Sequence, residues 1–241
     1  MSDGAPMIAI AFALPAESSD FVRLLTKPII YARDGVESIR GQIHGRSVAV
    51  FHTGVGEKSC RANIENFLHQ QRFKYLISAG FAGALDEELQ IGNLLLSENF
   101  SSPELLGSPH LDFAETGPFV GKLATVPGVI DSKAERARWA TESGAAAVDM
   151  ETEFIAAACA AHRVPMLSLR VISDTPSEPF AAPPNVLFDL EKQKTDFGRL
   201  AFYLVTHPGA LMRLNAFRQR VALARKSLTS ALDRLLRVDL A

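Results

Sequence analysis

Three carboxylates, Asp149, Glu151 and Asp174, stand towards the two ends of one segment, Ala145–Thr175, and a fourth, Glu17, follows the first apolar run of the chain. Carboxyl groups brought to one place can divide the work of acid and base, because burial and neighbouring charges move their pKa values apart. The segment parses as strand, helix and strand. Ala145–Val148 is too short for a buried helix and suits a buried strand, while Glu151–His162 is rich in alanine and carries acids in its first turn, where the helix dipole favours negative charge. Pro165 ends that helix, and Met166–Ile172 is the next apolar, partly β-branched run. Ser173 and Asp174 then fall just past a strand's carboxyl end, where open α/β sheets place their ligands. The three acids are therefore expected at one sheet edge.

The elements that must position them follow in order. Met7–Leu14 is a continuous apolar strand of the kind buried on both faces of a mostly parallel sheet, and Pro15 opens a helix whose first turn holds Glu17. Residues 29–51 read as extended, punctuated by hairpin turns at Gly35 and at His44-Gly45-Arg46. Gly54-Val55-Gly56 leads into a helix over Glu57–Gln70, and Lys74–Ala79 is a buried strand ending in Gly80-Phe81-Ala82-Gly83, where absent side chains leave room for a flat ligand. Ile91–Phe100 supplies another strand. Ser101–Gly121, rich in Ser, Pro and Gly, is expected as a mobile loop over the site, and its His110 receives no role. Ser132 caps a helix over Lys133–Ser143, with Glu135 at capping-box spacing. A last amphipathic helix, about 210–238, carries an apolar stripe of Leu211, Leu214, Phe217, Val221, Ala224, Leu228, Leu232 and Leu235.

Composition bounds the function classes. The 241 residues suit one α/β domain, and 47% hydrophobic with 22% charged residues is the balance of an ordinary globular protein. A net charge of −2 gives no case for nucleic acid, and two cysteines, Cys60 and Cys159, indicate no disulfide scaffold, so a reducing cytoplasm fits. No metal-ligand spacing appears, no stretch reaches the length of a membrane span, and the first fifteen residues are a strand and not a signal peptide. The segment 207–241 carries seven Lys/Arg against two Asp, so the last helix is expected to pack on the core or a partner subunit with a solvated basic face, or to rest on an anionic membrane.

The run Val148-Asp149-Met150-Glu151, followed after a helix by Arg170-Val-Ile-Ser173-Asp174, resembles the nucleoside phosphorylase and nucleosidase superfamily, in particular its methylthioadenosine/S-adenosylhomocysteine nucleosidases. Gly54-Val-Gly56-Glu-Lys58, Ser78-Ala-Gly80-Phe-Ala-Gly83 and Ile91-Gly-Asn93 are similar to further segments of that family in the same order. The resemblance implies a three-layer αβα sandwich around a mixed, mostly parallel, twisted sheet, a small nucleoside as partner, no cofactor or metal, and a homodimer or larger ring. It implies that Glu17 activates water, that Asp174 protonates the imidazole-ring nitrogen of the leaving purine, and that Glu151 holds the ribose hydroxyls with Met150 against the sugar. Gly80, Phe81, Gly83, Val129, Asp149 and Ser173 join them as binding residues. The aromatic that lines the base in the family falls at Gly128 here, and Phe81 replaces a small polar residue.

The same residues admit plainer roles. Glu17 could do no more than complement its helix dipole, Phe81 could be core, Asp174 a helix cap, and Asp149 or Glu151 the buried partner of Arg170. The related phosphorylases place arginines after the first strand and after the Gly-rich strand end, whereas this chain has Pro15-Ala-Glu17 and Gly80-Phe-Ala-Gly83, which favours water over phosphate. Segment 131–150 and the basic tail also resemble the hopanoid-associated branch, whose proposed substrate is an adenosylated lipid. A nucleoside-binding protein without catalysis is a third alternative.

Overall fold

Alternation within the first strand sets the layers. In the computed structural model, which describes residues 7–108, 111, 117–130, 132–178, 210–238 and 240, β1 (Met7–Phe12) sends Ile8, Ile10 and Phe12 to one face and Ala9 and Ala11 to the other. The large side chains pack under α1 (Pro15–Val22) and the long last helix, α6 (Ala210–Leu235), while the alanines let α2 (Glu57–Leu68) and α5 (Thr152–His162) cover the second face. Helices on both faces of a sheet give the expected αβα sandwich.

The sheet runs β2 (Thr26–Arg33), β3 (Val36–Ile43), β4 (Arg46–His52), β1, β5 (Phe73–Ala84), β10 (Met166–Asp174), β6 (Leu94–Ser97), β7 (Phe119–Gly121). Off this path, β8 (Leu123–Thr125) pairs with β9 (Ala147–Asp149), which pairs with β5. Among the described residues, five of the nine strand pairs are parallel, including the central β4-β1-β5-β10 set. Two hairpins lie where expected, each with two successive residues at positive φ, Asp34-Gly35 and His44-Gly45.

Three expectations are corrected. Strand β5 does not stop at Ala79: it continues through the glycines, because β10 pairs with it as far as Asp174 opposite Gly83, and Ser173 and Asp174 are the last residues of β10 and not the first of a loop. The described part of Ser101–Gly121 does not border the site. It holds the short helix α3 (Pro103–Leu106) and β7, and the Ser101 and Ser102 hydroxyls accept hydrogen bonds from the Ser168 and Met166 amides at 2.9 Å, towards the amino end of β10. His110 lies outside the described residues.

Helix α6 packs on the chain's own core. Ala224, Leu228, Leu232 and Leu235 are buried in the cluster beneath α1, and Arg225 Nε reaches Asp20 Oδ2 at 2.7 Å. Arg218, Lys226 and Arg234 are exposed along it, and Arg237 just past its end. Leu211's side chain and residues 179–209 lie outside the described set. Among the described residues, no helix is long and apolar enough to cross a membrane.

Candidate active site

The carboxyl ends of β1, β4, β5, β9 and β10 meet around a cavity of about 220 Å³. Its wall includes Glu17, Phe81, Gly83, Val129, Asp149, Met150, Glu151, Ser173 and Asp174, so every expected site residue except Gly80 borders it.

Glu17 sits at the third position of α1 and reaches back across the helix start. Its Oε2 accepts from the Ala13 and Leu14 amides at 2.8 and 3.0 Å, and its Oε1 accepts from the Phe81 amide at 3.0 Å. One carboxylate thus closes the helix end and ties β1 to β5. Burial pushes its carboxyl above the ordinary value, against those amide donors and the charge of Arg170. The helix-start role and the site position hold together.

Glu151 precedes α5, and its Oε1 accepts from the Gly56 amide at 2.8 Å. Gly56 holds φ at +82°, so the Gly54-Val-Gly56 turn presents a backbone donor to an acid far along the chain. Burial, with the charge of Asp149 nearby, pushes the Glu151 carboxyl up to about 8.

Asp149 is already fully engaged. Its Oδ2 accepts from Arg170 Nε at 3.0 Å and from the Thr152 amide at 3.1 Å, and its Oδ1 accepts from the Thr125 hydroxyl at 2.9 Å. Arg170 also donates to the Ser78 carbonyl and hydroxyl, both at 2.9 Å. This is the buried pair expected for Arg170, and Asp149 reaches the cavity as its counter-ion.

Sequence reasoning missed Arg136. It is 2% exposed, it donates through Nη2 to Asp174 Oδ2 and through Nη1 to the Ala84 carbonyl at 2.9 Å, and it borders the cavity. The signal was present: Arg136 is the buried residue of α4 (Lys133–Ser143), a helix with no large apolar stripe, and a buried guanidinium requires a counter-ion. The Ser132 cap of α4 stands as expected, its hydroxyl accepting from the Glu135 amide at 3.1 Å. Ser173 Oγ donates to Asp174 Oδ1 at 2.8 Å. Burial raises the Asp174 carboxyl, while Arg136, Ser173 and the more distant Arg220 of α6 favour its charged form.

The glycines make room for these pairs. A Cβ at Gly83 would lie 2.9 Å from Asp174 Oδ2 and 3.1 Å from Arg136 Nη1, and one at Gly80 would lie 3.2 Å from Glu17 Oε1 and 3.4 Å from Arg170 Nη1. Gly80 therefore serves the acids and not directly a ligand. Phe81 packs against the main core cluster, the plain role weighed for it, and also borders the cavity. From α6, Phe217 and Val221 complete the wall.

The described residues with metal-ligand geometry are Glu65, His69 and His162, whose Glu65 Oε1 lies 3.1 Å from His69 Nε2 and 2.9 Å from His162 Nε2. They gather at the carboxyl ends of α2 and α5, whereas the cavity lies at the amino ends of those helices.

The sequence pattern of the Phosphorylase superfamily matches residues 7–118 and 114–205. The chain is 24% identical over 196 residues to a 5'-methylthioadenosine/S-adenosylhomocysteine nucleosidase of Staphylococcus haemolyticus, covering 70% of this chain and 86% of that one. It is 25% identical over 162 residues to a DeoD-type purine nucleoside phosphorylase of Alkaliphilus metalliredigens, covering 58% and 70%. Among solved structures, the nucleosidase of Colwellia psychrerythraea in complex with adenine superposes with a TM-score of 0.73 at 16% identity, covering 98% of this chain and 96% of that one. A futalosine hydrolase of Helicobacter pylori gives 0.65 at 18% identity over 96% and 99%. With the family pattern spanning strands β1 to β10 and every strand end that forms the cavity, the chain belongs to the phosphorylase superfamily.

Proposed function

We propose that the chain cleaves the N-glycosidic bond of a purine nucleoside, an adenosine derivative such as methylthioadenosine or S-adenosylhomocysteine, with water as nucleophile and free base as product. Glycosidic cleavage makes the sugar oxocarbenium-like and leaves electrons on the departing ring, so it needs a base for the nucleophile on one side and a charge-neutralising group on the other. Glu17 takes the proton of the attacking water, Glu151 accepts from the ribose hydroxyls, and Asp174 with Ser173 meets the imidazole edge of the purine.

The observation that carries this reading is that Glu17, Glu151 and Asp174, from three distant parts of the chain, border one cavity. Water is favoured over phosphate by charge. Phosphate requires cations not already neutralised, and the two guanidinium groups buried beside the site, Arg136 and Arg170, are paired with Asp174 and Asp149, while an ionised Glu17 would repel an anion. The test is incubation with methylthioadenosine, S-adenosylhomocysteine, adenosine and inosine in phosphate-free buffer, followed by detection of free base. Release from an adenosine derivative is expected; strict dependence on phosphate would reassign the chain to the phosphorylases.

A second reading of the substrate is an adenosylated hopanoid lipid. It is favoured by the apolar wall of Val55, Val126, Val129, Ile130, Phe217 and Val221, part of it supplied by the helix that carries the basic face. Faster release from S-alkylated thioadenosines as the alkyl chain lengthens would select it.

A further inference from the structure

Glu65 and His69 stand four positions apart on α2, a spacing that puts both side chains on one face of a helix, and His162 closes α5 beside them. Glu65 Oε1 lies 3.1 Å from His69 Nε2 and 2.9 Å from His162 Nε2, and one ligand atom from each residue falls within 4.8 Å of the other two. The ligands of a tetrahedral zinc ion stand about 3.3 Å from one another, so the Glu65 oxygen is already near the required spacing from both nitrogens. The two imidazole rings meet edge to face with centroids 4.6 Å apart, and each turns its Nε2 to the same carboxylate oxygen.

The surroundings favour a cation. His69 caps α2 and His162 is the last residue of α5, so the negative poles of two helices converge on the cluster. The hydrogen bond from His162 holds the Glu65 carboxyl below its ordinary value, which keeps the oxygen an anion. Arg61, one turn before Glu65, is held by Glu57 Oε1 at 2.8 Å. The side chains of Glu65 and His69 are 49% and 65% exposed, so solvent can deliver an ion and supply a further ligand.

We propose that Glu65, His69 and His162 bind one divalent transition-metal ion of the zinc class, with water as the fourth ligand, and that the ion clasps the carboxyl ends of α2 and α5. Two imidazole nitrogens with one carboxylate oxygen suit zinc, whereas calcium and magnesium take oxygen ligands. The clasp is the counterpart of the hydrogen bond from the Gly56 amide to Glu151, which joins the amino ends of the same two helices beside the cavity. The helix pair is then tied at both ends. An ion that binds only the folded chain stabilises it by mass action, and no step of nucleoside cleavage passes through it.

The test needs no substrate, so it stands apart from the nucleosidase reading. The full-length chain, freed of metal with a chelator, is titrated with cobalt(II) and then with zinc(II). One cobalt ion per chain should give the intense visible absorption of a four-coordinate site, zinc should displace it, and zinc should raise the Tm. The variants are His162→Gln and His69→Ala, the second at an exposed side chain whose removal leaves the core untouched; circular dichroism of the metal-free proteins checks that the helices remain. Losing a partner that only supports a metal ligand costs about 10- to 100-fold in affinity, so each variant, which loses a ligand outright, should bind zinc at least about 100-fold more weakly than the wild type. His44→Gln, at a histidine paired with Asp233 and apart from the cluster, should bind zinc as the wild type does. Absent cobalt absorption, the weak absorption of a six-coordinate ion, or zinc affinity unchanged in His162→Gln and His69→Ala would overturn the site.

Discussion

The Glu151 carboxylate accepts a hydrogen bond from the Gly56 amide at 2.8 Å across 95 positions of sequence. The contact joins the loop after β4 to the start of α5 and fixes an acid on the wall of the cavity, in surroundings dry enough to push its carboxyl up to about 8.

Because the folded chain holds this proton more tightly than the unfolded chain does, the stability it contributes is fully present below the ordinary carboxyl value of 4.5 and is lost as pH rises through about 8. Glu17 and Asp174, raised by burial, act in the same direction. Thermal melting followed against pH should show Tm falling across that window in the wild type and falling less in Glu151→Gln. Activity should run the other way, since in the role proposed for Glu151 the ionised form accepts from the ribose hydroxyls: KM should drop as pH passes about 8. A KM that does not change with pH would separate Glu151 from the sugar.

Gly83→Ala tests the crowding at the end of β5. Its Cβ would stand 2.9 Å from Asp174 Oδ2 and 3.1 Å from Arg136 Nη1, both held in a buried pair with little freedom to give way. Overpacking of this kind costs about 1–3 kcal/mol, and displacement of the pair should lower base release as well. Calorimetric melting and a turnover assay read the two effects; a variant with wild-type Tm would mean that the pair shifts freely.

Arg170→Met would leave Asp149 buried without its cation. Breaking a buried pair from one side costs about 3–5 kcal/mol, so chemical denaturation should show a large loss of stability. Arg170→Met combined with Asp149→Leu should recover much of it. Failure of the second change to restore stability would mean that Asp149 is held by its threonine partners and not by Arg170.

The fold was largely legible in the chain. Runs such as Met7–Phe12, uninterrupted and apolar, and Met166–Ile172, apolar but for Ser168 and Arg170, suit strands covered on both faces, and the breakers at Pro15 and Pro165 mark where helices start or stop. Glu17, Glu151 and Asp174 were legible because each follows or ends a strand, where topology alone fixes position. Arg136 was hidden for the opposite reason: it lies mid-helix, and its partner, 38 positions away, is fixed by the packing of α4 and not by any spacing in sequence. The glycine roles were half legible. A missing side chain announces close approach, but what approaches is the Asp174–Arg136 pair at Gly83 and Glu17 at Gly80, which only three dimensions reveal. The segment 101–121 misled through composition, since its serines bond to β10 instead of serving a loop over the cavity.

Release of adenine from methylthioadenosine, measured in phosphate-free buffer for the wild type and for Glu17→Gln, bears most directly on the claim that acids from three parts of the chain cleave a nucleoside with water. The wild type should turn over without phosphate, and the variant should lose about 100- to 10,000-fold of the rate, the usual contribution of a general base. Full activity in Glu17→Gln, or release by the wild type only when phosphate is added, would contradict the account.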